Sequence, residues 1–505
     1  MWSARHRREL DRGDPPLPLL PGEVGNGEFL PRPPTPRDRA IVDEILARAE
    51  AIAAGLGTSR RRFLQSAGGV ALSLAVFDAC ASDAGRRAAP GTTSSSKPGG
   101  RFVTPDPTDP AACTSVLADG REFIVDMHTH HVMPAGSWRT AAPATVDMIR
   151  DLIPDGCAAA DELECLDRAH YVHDLFLASD TTVAMLTDVP NSGPIDAPMP
   201  YADAVGTADF AGDLTAGGVH RVLSQSVLAP NFGPVGATLD VMQAQVEGGR
   251  VASFKTYTAW GPDGRGFALT DPAIGLPMIQ RAHDLGVNVF CAHKGLPLQR
   301  FDLTHNDPDD LVAAAKQFPD MEFVVFHSAF ERELFEGPYD PSRSTRGTNS
   351  LLAAMDRHGI PPNANVWCEL GTTWREVLST PDQAAHVLGK LLTRVGEDRV
   401  LWGTDAIWFG SPQPQIMAFR AFEITPEYQE RFAYPALTPE LKRKVFGLNA
   451  ANLLGLDLNA DYCAPNDPLA AAKPAATSRH DAGEIEPWRP RGPITRREAL
   501  KTFRR

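Results

Sequence analysis

The stretch Ile124-Val125-Asp126-Met127-His128-Thr129-His130 is an apolar run that ends in two histidines separated by one residue. On a β-strand, the side chains of residues i and i+2 point to the same side. His128 and His130 therefore direct two imidazole groups toward one point, as a shared metal ion requires. A single triplet of this kind is only suggestive, so the prediction depends on whether later segments supply further ligands.

From residue 121 onward, short runs of strand-forming residues alternate with segments of helical periodicity. We predict eight strands, at Phe123–Met127, Thr182–Thr187, Arg221–Val227, Val251–Tyr257, Val287–Ala292, Met321–Phe326, Asn365–Glu369 and Arg399–Gly403. Strand and helix in this repeated order predict an α/β protein with a (β/α)8 TIM barrel over residues 121–460. The alternative is an open doubly wound sheet, which would be expected to carry a glycine-rich phosphate loop after its first strand, and none stands there.

Residue types that bind metals recur at the ends of the predicted strands. In a TIM barrel the active site lies at the carboxyl ends of the strands. The residues at those ends are His128 and His130 after the first strand, Lys255 in the fourth, His293 after the fifth, His327 after the sixth, Glu369 ending the seventh and Asp405 after the eighth. Random scatter would not place such residues at so many equivalent positions, so the sequence predicts a metal site.

Four segments carry a family resemblance, and they occur in the order Asp126–His130, Phe290–His293, Val325–Ser328 and Leu401–Asp405. Together they resemble the amidohydrolase superfamily, specifically its amidohydrolase-related branch of metal-dependent hydrolases and decarboxylases. The resemblance covers about residues 121–460 and leaves both termini outside.

This resemblance implies a ligand set for a divalent metal, most often zinc in that branch, made of His128, His130, His293 and Asp405. Three nitrogens and one carboxylate oxygen suit Zn²⁺ and leave a position for water or substrate. Asp405 would take a proton from the water and deliver it to the leaving group. His327 would act as a second acid or base, or as an electrophile for the oxyanion.

Lys255 lies in the segment Ala252–Tyr257, which looks like the fourth-strand segment of cyclic-amide hydrolases, where a carboxylated lysine bridges two metals. A lysine in a cationic site must be neutral, carbamylated or paired with a carboxylate. A carbamylated Lys255 would form a second metal site with His293 and His327, whereas an unmodified one would bind a substrate carboxylate. One ion and two ions both stay open.

The ligand set is compatible with three functions. The first is hydrolysis of an amide, lactone or related carbonyl bond, and the second is non-oxidative decarboxylation of an aromatic or unsaturated acid. The third is a non-catalytic metal-binding barrel. Aromatic residues near the strand ends favour a planar or apolar small-molecule substrate, with Arg139 or Lys294 available for a carboxylate.

The segment 58–81 resembles a twin-arginine export signal. The paired arginines of Ser59–Gln65 are followed by Phe and Leu at the expected offsets and by the uncharged run Ser66–Phe77. This run is too short to span a membrane. Cleavage is expected after Ala81, whereas the residues before Cys80 are a poor match to a lipoprotein box, which argues against lipid anchoring. The sequence thus predicts recognition by the twin-arginine machinery and a periplasmic or extracytoplasmic protein.

The remaining segments are expected to surround the barrel. Residues 1–57 form an extension, disordered up to residue 35 and helical over Pro36–Leu56, residues 82–120 a flexible linker, and residues 461–505 a disordered tail. The net charge of −14 argues against a nucleic-acid partner, because phosphate groups would be repelled. The sequence leaves open whether the chain forms a homo-oligomer.

Overall fold

The computed structural model describes residues 16–25, 31–87, 98–120, 122–150, 159–215, 219–297, 301–343, 345–462, 467–482, 495–497 and 500. Its strands, labelled in chain order, are β1 Gly100–Phe102, β2 Val125–Thr129, β3 Val183–Leu186, β4 Val222–Leu228, β5 Val251–Thr256, β6 Val289–His293, β7 Glu322–Phe326, β8 Val366–Glu369, β9 Val400–Leu401 and β10 Phe422–Ile424.

The α-helices are α1 Pro36–Gly55, α2 Arg60–Leu64, α3 Ala67–Arg87, α4 Pro110–Cys113, α5 Trp138–Ala141, α6 Pro143–Arg150, α7 Arg168–Val172, α8 Tyr201–Asp213, α9 Val235–Glu247, α10 Gly275–Asp284, α11 Asp309–Gln317, α12 Thr348–His358, α13 Thr373–Val377, α14 Pro381–Leu391, α15 Gln413–Ala421, α16 Pro426–Phe432, α17 Pro439–Arg443, α18 Asn449–Leu454 and α19 Pro468–Ala482.

Strands β2 to β9 form one parallel sheet in which each strand pairs with the next along the chain. The first and last of them also approach each other, because the amide of Asp405 donates to the carbonyl of His128 at 2.8 Å and Thr129 bridges Ala406. The predicted TIM barrel is therefore confirmed, with all eight predicted strands in place.

Alternate residues along the barrel strands enter two different hydrophobic clusters. On β7, Phe323 and Val325 join the large cluster that includes the helices, whereas Val324 and Phe326 pack in a second cluster with Met127. Both faces of a parallel strand are buried in such a barrel, which explains why these strands are near-continuous apolar runs.

The N-terminal helices share the core of the barrel. Helix α1 buries Ile41, Ile45 and Ala49, the residues at helical spacing. The run predicted to be the hydrophobic part of an export signal lies in α3, where Leu74 and Phe77 are 0% exposed. Helix α3 packs against α1, α14 and α15, so this run is a structural element of the folded protein.

The segments expected to be a linker and a tail differ from that expectation where they are described. Strand β1 pairs antiparallel with β10, and Phe102 packs edge-to-face on Phe422 at 5.2 Å. In the tail, helix α19 is anchored by Lys473, whose ammonium donates to the carbonyl of Ser179 at 2.5 Å. The physical reason is that each segment finds buried apolar or polar partners far away in the sequence.

Part of the expected disordered extension is also ordered. In residues 16–25, Leu17, Leu19 and Leu20 are buried, and the carbonyl of Leu20 accepts a hydrogen bond from Arg375 at 3.2 Å. Residues 1–15 and 26–30, which that prediction also included, lie outside the described residues. Within the described part of the chain, no helix has the length and apolar character that crossing a membrane requires.

Candidate active site

His128 and His130 lie at the carboxyl end of β2, as the opening stretch predicts. Both side chains are 2% exposed, and their ring centroids are 4.9 Å apart. The pairing register between β2 and β3 shifts between Asp126 and Thr129. Asp126 is fully buried and accepts the backbone N–H of His128 at 3.1 Å, which stabilises the strand at this register shift. Burial raises the pKa of Asp126 to about 7.

The orientation of His130 is fixed by a backbone group. Its Nδ1 lies 2.8 Å from the carbonyl oxygen of Thr187, so Nδ1 carries the proton and donates it. The other nitrogen, Nε2, lies 3.1 Å from Oδ1 of Asp405, and Trp408 stacks on the ring at 5.2 Å. A metal-binding histidine is usually oriented in this way, with one nitrogen on a carbonyl and the other facing the ion.

Asp405 follows β9 and completes a compact group with the two histidines. Its Oδ1 lies 3.6 Å from Nε2 of His128, and its Oδ2 accepts the hydroxyl of Thr372 at 2.5 Å. Burial acts to raise the pKa of Asp405, but the polar groups around the carboxylate, among them the hydroxyl of Thr372, outweigh it, so the pKa is lowered overall. Asp405 therefore stays ionised at neutral pH.

Backbone strain accompanies this loop. Asp405 has φ +62° and Thr372 has φ +56°, which is the left-handed region that non-glycine residues rarely adopt. Each such residue costs of order 1–3 kcal/mol, and strain of this kind clusters at functional sites. The fold thus tolerates a cost in order to aim the Asp405 carboxylate at the histidines.

A second group of possible ligands adjoins the first and consists of His128, His327 and Glu369. Nδ1 of His327 lies 2.8 Å from the carbonyl oxygen of Gly371, which leaves its Nε2 facing the site. Burial lowers the pKa of His327 to about 4, so the ring is neutral at pH 7. Burial also raises the pKa of Glu369 to about 8, and a cation bound at the site would act in the opposite direction by favouring the ionised carboxylate.

His293 ends β6, and its ring centroid lies 4.5 Å from that of His327. Within the described residues, neither ring nitrogen of His293 has a hydrogen-bond partner, although the side chain is 4% exposed. The ligand atoms of His128, His130 and Asp405 lie within 4.8 Å of one another, and His293 is outside this group. It instead borders that group through His327.

Lys255 is at the end of β5 and is 0% exposed. Its Nζ lies 3.4 Å from Nε2 of His128, and it faces the rings of Phe326 at 4.1 Å and Tyr257 at 4.9 Å. Burial lowers its pKa to about 8. Lys255 thus lies beside His128 at the carboxyl ends of the strands.

Two basic residues considered for a substrate carboxylate have other partners. Lys294 pairs with Asp310 at 2.7 Å, and Arg139 forms an ion pair with Asp161. Among the aromatic residues, Trp374 packs into the core, where its indole nitrogen donates to a backbone carbonyl. These contacts give all three residues structural partners, which sequence position alone does not reveal.

The chemistry of the residues fits a divalent cation. His130 presents a lone pair on Nε2, Asp405 presents an ionised carboxylate, and Oδ1 of Asp405 and both nitrogens of His293 lack hydrogen-bond partners in the described residues. Burial also lowers the pKa of His128 far below its usual value, with a further contribution from the positive charge of Lys255. Its ring is therefore neutral, with one nitrogen free to bind a cation. Buried acceptor atoms without donors are costly unless a cation satisfies them.

Sequence reasoning did not assign Asp126, Thr372 or Glu369 to the site. Each of the three contacts another residue of the site: Asp126 and Glu369 contact His128, and Thr372 contacts Asp405. Glu369 was visible as an acidic residue at the end of a predicted strand, and that position was the available signal. Thr372 carried no signal, because its contact with Asp405 spans 33 residues of sequence.

The comparisons with solved structures give distant matches. An uncharacterised TIM-barrel protein from Bordetella bronchiseptica is 15% identical, with 66% of this chain and 98% of that chain covered and a TM-score of 0.42. The 5-carboxyvanillate decarboxylase of Novosphingobium aromaticivorans, with bound manganese, is 13% identical (67% and 99% covered, TM-score 0.39). The 4-oxalomesaconate hydratase of Rhodopseudomonas palustris is 14% identical (72% and 100% covered, TM-score 0.36). These likenesses leave the reaction open.

No curated protein matches the chain at a significant level. The family model described as amidohydrolase matches residues 125–456. This range begins on β2 and includes all the barrel strands and every predicted site residue. Since it spans well over half of the 505 residues, the chain belongs to the amidohydrolase family.

Proposed function

We propose that this protein is a metal-dependent hydrolase that uses activated water to cleave an amide, lactone or related carbonyl bond. The observation that supports this most directly is the buried group of His128, His130 and Asp405. Their facing atoms converge within 4.8 Å, and separate backbone or hydroxyl contacts orient His130 and Asp405. Imidazole nitrogen with carboxylate oxygen is a donor set that suits zinc, which we propose as the metal.

The chain's own residues account for the proton transfers. Asp405, ionised and held by Thr372, accepts the proton of the attacking water and returns it to the leaving group. His327 presents a neutral Nε2 to the opposite side of the site and serves as a second base. When bound, a divalent cation would lower the pKa of water and polarise the substrate carbonyl.

We propose a single metal with Lys255 unmodified. The two-metal form would need a carbamylated Lys255 that binds a second metal together with His293 and His327. In the structure, Nζ of Lys255 instead contacts Nε2 of His128 at 3.4 Å. The intact mass of the native protein, together with its metal content, distinguishes the two. A carbamate on Lys255 with two metals per chain would replace the single-metal proposal.

A second candidate function is non-oxidative decarboxylation of an aromatic acid, and Lys255 is the observation that favours it. A substrate carboxylate would supply the negative partner that this buried ammonium otherwise takes only at longer range. Tyr257, Trp260 and Phe301 form an aromatic cluster beside His293, with ring centroids 5.0 Å (Tyr257) and 5.3 Å (Phe301) from it. Such rings suit a planar substrate.

Isotopically labelled water separates the two reactions. Purified zinc-loaded protein would be screened against amides, lactones and aromatic acids. A hydrolase incorporates the labelled oxygen into product, whereas a decarboxylase releases carbon dioxide without consuming water. The metalloenzyme proposal fails if a measured activity survives in His128→Ala at the wild-type level.

We further propose that the protein is exported by the twin-arginine route. Arg60, Arg61 and Arg62 are exposed on α2, where a receptor would reach them, and Cys165 is disulfide-bonded, as is usual outside the cytoplasm. Cell fractionation of the wild type and of the Arg60→Lys, Arg61→Lys double variant tests this. Wild-type protein confined to the cytoplasm would refute export.

A further inference from the structure

Glu369 is a completely buried carboxylate at the end of β8. Its Oε2 lies 3.4 Å from Nδ1 of His128, on the side of the ring opposite to Asp405. The same Oε2 accepts the backbone N–H of His327 at 3.2 Å, while Oε1 accepts the backbone N–H of Gly371. One carboxylate therefore contacts a predicted metal ligand, the backbone of a predicted catalytic base, and the loop that follows β8.

The backbone at Gly371 and Gly403 lies close against the carboxylate of Glu369. A Cβ atom on Gly371 would lie 2.5 Å from Oε1 of Glu369 and 2.6 Å from Nδ1 of His128. A Cβ atom on Gly403 would overlap Oε1 as well. Glycine at both positions lets the backbone pass closely enough for Glu369 and His128 to meet.

The loop carries the effect of Glu369 to the other site residues. The carbonyl of Gly371 accepts the ring N–H of His327, and the next residue, Thr372, donates to Asp405. By holding the amide of Gly371, Glu369 fixes the position of both groups. Three residues of the site are thus oriented from one side chain.

Building on the proposed function, we infer that Glu369 is a positioning residue that keeps the proton of His128 on Nδ1 and presents Nε2 to the metal. Carboxylate–histidine–metal arrangements of this kind orient the ring and raise its basicity as a ligand. In this role Glu369 acts through the ring of His128. Its role is to make His128 a competent ligand.

The substitution Glu369→Gln tests this with little change of shape. The carboxylate accepts at both oxygens, but an amide has one oxygen and must turn its NH₂ group toward a donor. We expect the zinc dissociation constant, measured by competition with a chromophoric chelator, to rise 10–100-fold. Glu322→Gln is the matched control, because Glu322 begins β7 at the opposite end of the barrel and binds the indole of Trp367; its zinc affinity should not change.

A second measurement needs no variant. Nitrogen NMR of the zinc-loaded wild type should show His128 bound through Nε2 and protonated at Nδ1. Wild-type zinc affinity in Glu369→Gln, or zinc on Nδ1 of His128, would overturn the inference while leaving the proposed function intact. A wild type that binds no zinc would instead overturn the proposed function.

A separate observation, the burial of helix α3, bears on whether the N-terminal segment is cleaved off after export. The side chains of Val70, Leu72, Leu74 and Phe77 are 0% exposed, and helix α3 lies between α1 and α15. Asp78, in the middle of α3, accepts the backbone N–H of Phe102 at 2.7 Å, which joins the helix to strand β1. Removing these residues would expose the apolar faces of both neighbouring helices.

We infer that residues 67–81 remain in the mature enzyme as a core helix, even if the arginines of α2 direct its export. Peptide mass mapping of protein recovered from its native compartment should find the segment Val70–Phe77. A folded and active mature chain that begins after Ala81 would overturn this.

The variants Leu74→Asp and Leu56→Asp probe the same inference by stability. Leu56 is 39% exposed at the end of α1, so a charge there should leave the melting temperature unchanged. A charge at Leu74 should lower it by roughly 10 °C or prevent folding. Equal melting temperatures for Leu74→Asp and wild type would overturn the core role of α3.

Discussion

Two lysines at the carboxyl ends of neighbouring strands offer a direct comparison. Lys255 on β5 and Lys294 after β6 are both 0% exposed. Lys294 pairs with Asp310 at 2.7 Å and donates to the carbonyl of His305 at 2.8 Å. Lys255 instead lies 3.4 Å from Nε2 of His128, and no carboxylate of the described residues comes within 4 Å of its Nζ.

The difference separates a structural charge from a functional one. A buried charge is costly unless it is paired and hydrogen-bonded. Lys294 meets both conditions and stabilises the loop after β6. Lys255 meets neither fully, and burial lowers its pKa to about 8. Groups that a fold keeps in so costly a state cluster at functional sites, which is why Lys255 belongs to the site and Lys294 does not.

Lys294→Met should have the largest effect on stability. It leaves the carboxylate of Asp310 buried without its cation, and breaking a buried pair in this way costs about 3–5 kcal/mol. Denaturant unfolding measures this loss, and the activity of the molecules that remain folded should stay close to wild type. An unchanged free energy of unfolding would show that the ion pair of Lys294 with Asp310 does not stabilise the fold.

Lys255→Met should behave in the opposite way. Since it removes a buried charge that has no close carboxylate, the free energy of unfolding should be unchanged or higher. Activity should fall about 100-fold, which corresponds to roughly 2.7 kcal/mol of transition-state stabilisation. Steady-state kinetics and denaturant unfolding of the same preparation measure both. Full activity in this variant would show that Lys255 is as structural as Lys294.

Asp78 is a partly buried carboxylate outside the site and can be compared with the two lysines. Burial raises its pKa from 3.8 to about 7. The folded chain therefore binds this proton more tightly than the unfolded chain, so wild-type stability falls as pH rises from about 4 to 7. Asp78→Asn keeps the acceptor for Phe102 but has no proton to lose.

The expected gain in stability for Asp78→Asn is on the order of 1–3 kcal/mol above pH 7, because one pKa unit corresponds to about 1.4 kcal/mol. It should shrink to zero near pH 4. Thermal unfolding of the two proteins across this pH range checks the sign. A difference that does not change with pH would contradict the raised pKa.

The barrel was predictable because its signals are local. Each strand is a short apolar run, and the His-x-His triplet is contained within seven residues. The position of Lys255 in a predicted strand indicated the site, whereas the ion pair of Lys294 was not predictable, because its partner Asp310 lies on a later helix. The same holds for Glu369, whose inferred role depends on its contact with His128, a residue far away in the sequence.

The N-terminal region shows the same limit. The spacing of Ile41, Ile45 and Ala49 predicts helix α1, but no local signal says which surface it covers. The run in α3 has the composition of an export signal and also that of a core helix, since both are apolar and uncharged. Strand β1 is three residues long, too short to be recognised before β10 is known to pair with it.

The proposed function depends on a divalent metal held by His128, His130 and Asp405. Its most direct test is the zinc content of the wild type, His130→Ala and His131→Ala after dialysis against a weak chelator. His131 is the matched control, because it is an equally buried neighbour whose ring nitrogens bind the carbonyl of Val132 and the hydroxyl of Thr207. We expect zinc in the wild type and in His131→Ala, and at least about 100-fold weaker binding in His130→Ala. Equal zinc content in all three proteins, or none in the wild type, would contradict it.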